Sequence, residues 1–174
     1  MRIGYQLFSM RTNLDWPELP QKYIDEAINS KFELIHTPSI LYWAPTSFVT
    51  SDLYRKISSK YRCGAGYFLN PPHTLYDWHI DNKRSCAINW VIKSNTKCMT
   101  LYREPIPEGI TKEGKKLLYN LTEVLYNGHK PTLLNTKKEH CVINNSDDNR
   151  IILSVTIFDT TYEDALLFLK DMNV

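Results

Sequence analysis

A chain of 174 residues is long enough to bury one core and leaves little for a second, so a single domain over 1–174 is expected. Hydrophobic residues at 43% and charged residues at 23% exclude a disordered or fibrous class. A net charge of +2 is too small to mark a polyanionic partner, so Lys112, Lys115, Lys116, Lys130, Lys137 and Lys138 read as a solvated face and nucleic-acid binding is the weakest reading.

The chain opens on an apolar tract broken by Gln6 and stopped by Arg11, too short and polar for a secretory signal, and no apolar run reaches membrane-spanning length. Residues 1–16 predict a short strand and a loop. From Pro17 to Ser30, Leu19, Tyr23, Ala27 and Ile28 recur at helical spacing, with Pro17 near the first turn. Lys31 to Ala44, divided by Pro38, predicts two short extended pieces. Ser51 is placed to cap a helix carrying Leu53 and Ile57 that ends before Cys63-Gly64. Residues 1–60 are therefore expected to pack, helical and mixed, on a sheet.

From residue 61 onward, β-branched and aromatic runs alternate with turn-formers. The predicted strands are Cys63 to Leu69, Thr74 to Ile80, Ser85 to Lys93, Cys98 to Glu104, Thr132 to Asn135, His140 to Asn144 and Arg150 to Phe158. With no helical crossover between them, they favour an antiparallel jelly roll over 61–158. Pro105 to Lys130 fits helical and strand periods alike; the expectation is an extra strand preceded by a loop, placed where a lid or substrate loop sits. Thr161 to Met172, with Glu163 and Asp164 in its first turn, predicts a closing helix. Cys63, Cys86, Cys98 and Cys141 lack CxxC spacing, so reduced thiols and a cytoplasmic setting are expected.

The chemistry concentrates in D-W-H-I-D-N-K-R-S-C-A-I-N-W-V-I, Asp77 to Ile92. His79 and Asp81 stand two apart, and strand side chains alternate with period two, so an imidazole and a carboxylate project to one side. His140, on a second apolar run, is the candidate third ligand. Two histidines and a carboxylate cover one face of an iron(II) ion and leave positions for a small co-substrate and dioxygen; the same set also suits an open zinc site.

Arg150 follows His140 across the polar segment 144–149. Read as a hairpin, that segment puts the two on adjacent antiparallel strands with Arg150 opposite Ile143, about 10 Å from the rung of His140 at ~3.3 Å per residue. The gap accommodates a five-carbon diacid that chelates the metal at one end and meets the planar guanidinium at the other. Ser154 shares Arg150's face, with Ile152 between. Tyr67 either donates its phenol to the diacid or packs, and packing is the commoner role in a chain with 11 tyrosines. Asn89 is either a pocket hydrogen-bond donor or a satisfied core amide. Arg84 orients Asp81, meets the substrate or forms a surface ion pair. Cys141 points away from His140's face, and His36, His73 and His129 lack partners at ligand spacing.

His79, Asp81, a distal His140 and an arginine ten residues on, all in strand-rich sequence, resemble the iron(II)- and 2-oxoglutarate-dependent oxygenases, whose double-stranded β-helix is a cupin-like jelly roll. W-H-I-D-N-K-R-S-C-A-I-N, P-T-L-L-N-T-K-K-E-H-C-V-I-N and R-I-I-L-S-V-T-I-F are most similar to small bacterial and phage members related to prolyl and aspartyl/asparaginyl hydroxylases. The resemblance implies His79, Asp81 and His140 as iron(II) ligands, Arg150 as partner of the distal 2-oxoglutarate carboxylate, and hydroxylation of a C–H bond with release of succinate and CO2. Many members carry a serine two residues after that arginine; here Ile152 stands there and Ser154 is the looser match. The primary substrate is open: a peptidyl residue, a free amino acid or a nucleobase. Two rivals stand beside this reading. A zinc hydrolase needs a general base and gives Arg150 no task, and a non-catalytic jelly-roll module uses the cavity only to bind a ligand.

Overall fold

A computed structural model describes residues 5–10, 14, 16–30, 40–106 and 119–172. The first extended piece expected within 31–39, and residues 107–118 of the segment Pro105 to Lys130 expected to hold a lid, lie outside the described residues. The elements in order are β1 (Tyr5–Met10), α1 (Gln21–Asn29), β2 (Ile40–Trp43), α2 (Thr46–Val49), α3 (Asp52–Ser58), β3 (Cys63–Asn70), β4 (Thr74–His79), β5 (Cys86–Lys93), β6 (Cys98–Pro105), β7 (Tyr119–Val124), β8 (Thr132–Asn135), β9 (His140–Asn144), β10 (Arg150–Ile157) and α4 (Tyr162–Asp171).

The strands form two five-stranded sheets, ordered β1-β7-β6-β9-β4 and β2-β3-β10-β5-β8. From β3 to β10 the chain crosses between the sheets at every step except β6 to β7, and every pairing among these strands is antiparallel. That winding is the double-stranded β-helix of a cupin-like jelly roll. Two edge strands extend it: β1 runs parallel to β7, and β2 antiparallel to β3.

Local chemistry accounts for the element boundaries. Ser51 caps α3 by accepting from Tyr54 N–H at 3.3 Å, and Thr161 caps α4 by accepting from Asp164 N–H at 3.1 Å. Helix α1 starts four residues later than Pro17, because Leu14 and Leu19 donate their N–H groups to Pro131 and His129 carbonyls instead of opening a helix. The single turn α2 carries too short a pattern to be read from sequence.

Alternation along the central strands sorts the side chains into two compartments. Ile151, Leu153, Val155 and Ile157 of β10, with Ile88 and Trp90 of β5 and Ala65, Tyr67 and Leu69 of β3, face the helices and form one core with Tyr23, Ala27, Phe48, Ile57 and Leu169. The opposite face of the same strands turns toward the second sheet. Because β5 is covered on both sides, it is buried continuously from Cys86 to Ile92. Trp16 Nε1 donates to Leu169 O at 3.0 Å, tying the N-terminal segment to α4. Among the described residues no helix is long and apolar enough to cross a membrane.

One predicted pairing is corrected. Strand β9 pairs with β4 and β6, and β10 with β3 and β5 in the facing sheet, so segment 145–149 is a crossover and not a hairpin. Arg150 stands opposite Asn70, not Ile143. The cause is Asn144, fully buried, whose side-chain amide donates to Asn70 O (2.9 Å), Pro71 O (2.9 Å) and Asp148 O (2.8 Å) while its Oδ1 accepts from Ser146 N–H and Oγ–H. This knot holds the chain where it leaves one sheet for the other.

Candidate metal centre

His79 ends β4 and faces His140 at the start of β9 as its register partner, their rings 4.3 Å apart. The pairing passes from Tyr76↔Val142 directly to His79↔His140, three residues against two, which is a β-bulge. The extra residue lets both Tyr76 and His79 face the space between the sheets. Each histidine sends Nδ1 to a carbonyl two residues back: His79 to Asp77 O at 2.6 Å and His140 to Lys138 O at 2.8 Å. A carbonyl only accepts, so Nδ1 carries the proton and Nε2 presents its lone pair, the tautomer a metal requires. Burial, reinforced by the neighbouring His79, holds the His140 imidazole below its usual range and so in the neutral, ligating form.

Asp81 lies beyond β4, so strand alternation does not aim it. Its N–H donates to Thr136 O at 3.0 Å, Lys137 Nζ donates to its carbonyl at 2.9 Å, and Thr136 Oγ1 donates to Arg84 O at 3.0 Å. The turn leading into His140 thus also holds Asp81, and Arg84 Nε donates to Asp81 Oδ2. The carboxylate oxygens lie 3.9 Å from His79 Nε2 and 3.8 Å from His140 Nε2, and the ligand atoms all fall within 4.8 Å of one another. These three are the one such cluster among the described residues. Two imidazoles and one carboxylate on a single face suit a divalent transition metal. His79 Nε2, buried with no hydrogen-bond partner, is consistent with that fit.

The same cavity holds Arg150, 1% exposed. Its guanidinium donates to Thr100 Oγ1 at 2.8 Å and to Asn70 Oδ1 at 3.4 Å, and it lies 5.5 Å from the Tyr126 ring, whose hydroxyl is 3.0 Å from Thr100 Oγ1. No carboxylate pairs with it among the described residues. Thr100 is opposite Val142 and Tyr102 is opposite His140, so the guanidinium docks two residues, about 7 Å at ~3.4 Å each, along the sheet from the histidine's rung. Ser154 and Asn89 are cross-strand partners on the same cavity wall, and Ser154 Oγ, Asn89 Oδ1 and Arg150 Nε are buried without hydrogen-bond partners. Each such atom costs about 1–3 kcal/mol if left unsatisfied, so their clustering calls for polar occupants of the cavity, ordered water or a ligand. The space between the lining residues, counted out to the open mouth, is about 500 Å³.

Tyr67 is not at this site. Its register places it on the helix face of β3, between cavity-facing Gly66 and Phe68, and its hydroxyl donates to Tyr23 O at 3.3 Å. Assigning it to the co-substrate is therefore corrected: the parity of β3 points it into the core. Cys141 is buried behind His140, its thiol pushed up to about 11 by burial, and makes no ligand. His73 meets Asp147 at the surface and His129 bonds Val91 O, both away from the triad. Sequence reasoning missed Thr100, Tyr126 and Asn70. Thr100 shows a trace, as a polar residue sharing Tyr102's face on β6, whereas Tyr126 sits in a loop with no periodicity to read.

No protein-family model matches the sequence, and no curated protein matches it. Among solved structures, the chain is similar to a 2OG-Fe(II) oxygenase family oxidoreductase from Burkholderia pseudomallei (6% identity, 66% of this chain and 56% of that one, TM-score 0.45). It is also similar to EvdO2 from Micromonospora carbonacea var. aurantiaca complexed with 2-oxoglutarate (13%, 70% and 66%, 0.44). A third is a cupin domain from Bordetella pertussis (17%, 72% and 98%, 0.38). These likenesses are too distant to carry chemistry, which rests on the residues above.

Proposed function

We propose that this chain is an iron(II)- and 2-oxoglutarate-dependent oxygenase that hydroxylates a C–H bond of a peptidyl or small-molecule substrate. The observation that carries the reading is Arg150: a buried guanidinium with no carboxylate partner among the described residues, in the same cavity as His79, Asp81 and His140 and displaced from them along the sheet. A buried charge is costly unless paired, and a keto diacid answers both ends of the cavity at once. His79, Asp81 and His140 would hold the metal. Arg150, steadied by Thr100 and Tyr126, would bind the distal carboxylate, with Ser154 and Asn89 offering further hydrogen bonds. Ile152, Val142 and Leu134 would keep water away. Iron(II) with 2-oxoglutarate supplies oxidation by dioxygen, in which the oxoacid becomes succinate and CO2 as one oxygen atom enters the substrate.

A zinc hydrolase reading leaves Arg150 without a task, and among the described residues the cavity offers no carboxylate beyond Asp81 to act as general base. The test is anaerobic addition of iron(II) and 2-oxoglutarate, monitored by the visible metal-to-ligand band. The band is expected in the wild type, and Arg150→Ala should weaken 2-oxoglutarate about 30-fold or more, corresponding to the loss of ~2 kcal/mol or more when a buried charged partner is truncated. Aerobic succinate release separates turnover from mere binding: a band without succinate assigns the chain to the binding modules, and no band at all ends the reading.

A further inference from the structure

The cavity is lined by a second arginine, and its arrangement differs from that of Arg150. Arg84 follows Asp81 by three residues, and its side chain is 19% exposed, nearer solvent than the deeply buried Arg150. Only Nε is committed, to Asp81 Oδ2; the two terminal nitrogens have no hydrogen-bond partner among the described residues. The guanidinium carbon lies 5.1 Å from the centroid of the Phe68 ring, and with Nε held by Asp81 the group is braced at two points. A guanidinium so held, with both terminal N–H groups free, is able to grip a carboxylate bidentately.

The surroundings are apolar. Leu41 pairs in register with Phe68, and Trp43 with Gly66, so both edge-strand residues stand on Phe68's face of the sheet. They are 52% and 82% exposed. A Cβ at Gly66 would come within 2.6 Å of both Leu41 Cδ1 and Tyr42 O, so glycine is what lets β2 lie this close to β3.

Charge points the same way. A divalent metal, Arg84 and Arg150 set against Asp81 leave a surplus of three positive charges; a keto diacid neutralises two, and one remains. Lys137 Nζ, on the Asp81 and Asn82 carbonyls just outside, adds to the same sign.

We propose that Arg84 is a specificity-determining residue of this site, and that the primary substrate presents a carboxylate to its free edge with an apolar group against Phe68, Leu41 and Trp43. The proposal rests on the oxygenase reading above. Through its bond to Asp81 the same side chain also acts as a positioning residue for the carboxylate that would hold the metal.

The test uses the full chain, anaerobic, with iron(II) and saturating 2-oxoglutarate so that Arg150 is occupied. Calorimetric titration compares 4-methylpentanoate and phenylacetate with their neutral amides. The carboxylates are expected to bind at least tenfold more tightly than the amides in the wild type, a preference that Arg84→Gln abolishes and Arg84→Lys keeps in part. The visible band, recorded on each sample, reports metal and 2-oxoglutarate loading independently. Amides that bind as well as the carboxylates, or no carboxylate binding at all, with the wild-type band present, overturn the role of Arg84 and leave the oxygenase reading standing. Absence of the band in the wild type overturns both.

Discussion

Among the described residues, the charge of Arg150 is answered by a hydroxyl, an amide oxygen and the Tyr126 ring, and by no carboxylate. A guanidinium stays ionised at any ordinary pH, so its burial imposes a desolvation cost that neutral acceptors offset only in part. Replacing it by a side chain of similar length without charge should therefore stabilise the ligand-free protein while removing its affinity for the diacid. Arg150→Met is expected to raise unfolding free energy by about 1–4 kcal/mol in urea denaturation, and to show no thermal shift with 2-oxoglutarate where the proposed function predicts one for the wild type. A destabilised Arg150→Met protein would mean that Thr100 and Asn70 satisfy the charge, and that the arginine serves the fold. The candidate site is partly legible in the sequence: His79, His140 and Arg150 are polar residues bordering strand runs, and Asp81 stands two residues beyond His79. What each one touches is less visible. Tyr67 and Asn89 look equally placed as polar positions in strands, yet parity turns one toward Tyr23 and the other toward the cavity.

At the scale of elements, the positions of strands follow from turn-formers and alternation, and those from β3 to β10 fall within a residue or so of their expected bounds, except β7, expected only as an extra strand somewhere within Pro105 to Lys130. Their partners do not follow from local signals. Whether β9 and β10 form a hairpin or cross the sandwich depends on Asn144 meeting the carbonyls of Asn70 and Pro71, distant in sequence. The bulge in β4 is equally hidden, since two-residue periodicity from Tyr76 would have turned His79 outward. Asn144 thus positions Arg150 without touching it. Asn144→Asp keeps the shape but removes the donors to three carbonyls and places a carboxylate among them. The expected loss is on the order of 2–4 kcal/mol of stability, read from the urea midpoint at constant slope, together with weakened 2-oxoglutarate binding. A change within about 0.5 kcal/mol, the range of neutral surface substitutions, would show that the loop alone directs the crossover.

For the whole molecule, one sheet serves two compartments, and successive residues of β10 belong to different ones. Leu153, fully buried, packs in the core shared with the helices, whereas Ile152 lines the cavity between the sheets. The division lets a polar, electrostatically strained site exist in a small protein, because the helix-side core supplies apolar burial that does not pass through the site. Truncations on the two faces should then separate stability from binding. Leu153→Ala leaves a closed void and is expected to cost about 2–5 kcal/mol with 2-oxoglutarate affinity little changed. Ile152→Ala only enlarges a space already present, so its cost should fall at or below the low end of that range, about 2 kcal/mol, while affinity drops because water gains access to the Arg150 end. Urea denaturation and anaerobic titration on the same two variants measure both quantities. Equal effects of the two substitutions on binding would mean that the faces are mechanically coupled through β10, and that the helix-side core helps to shape the site.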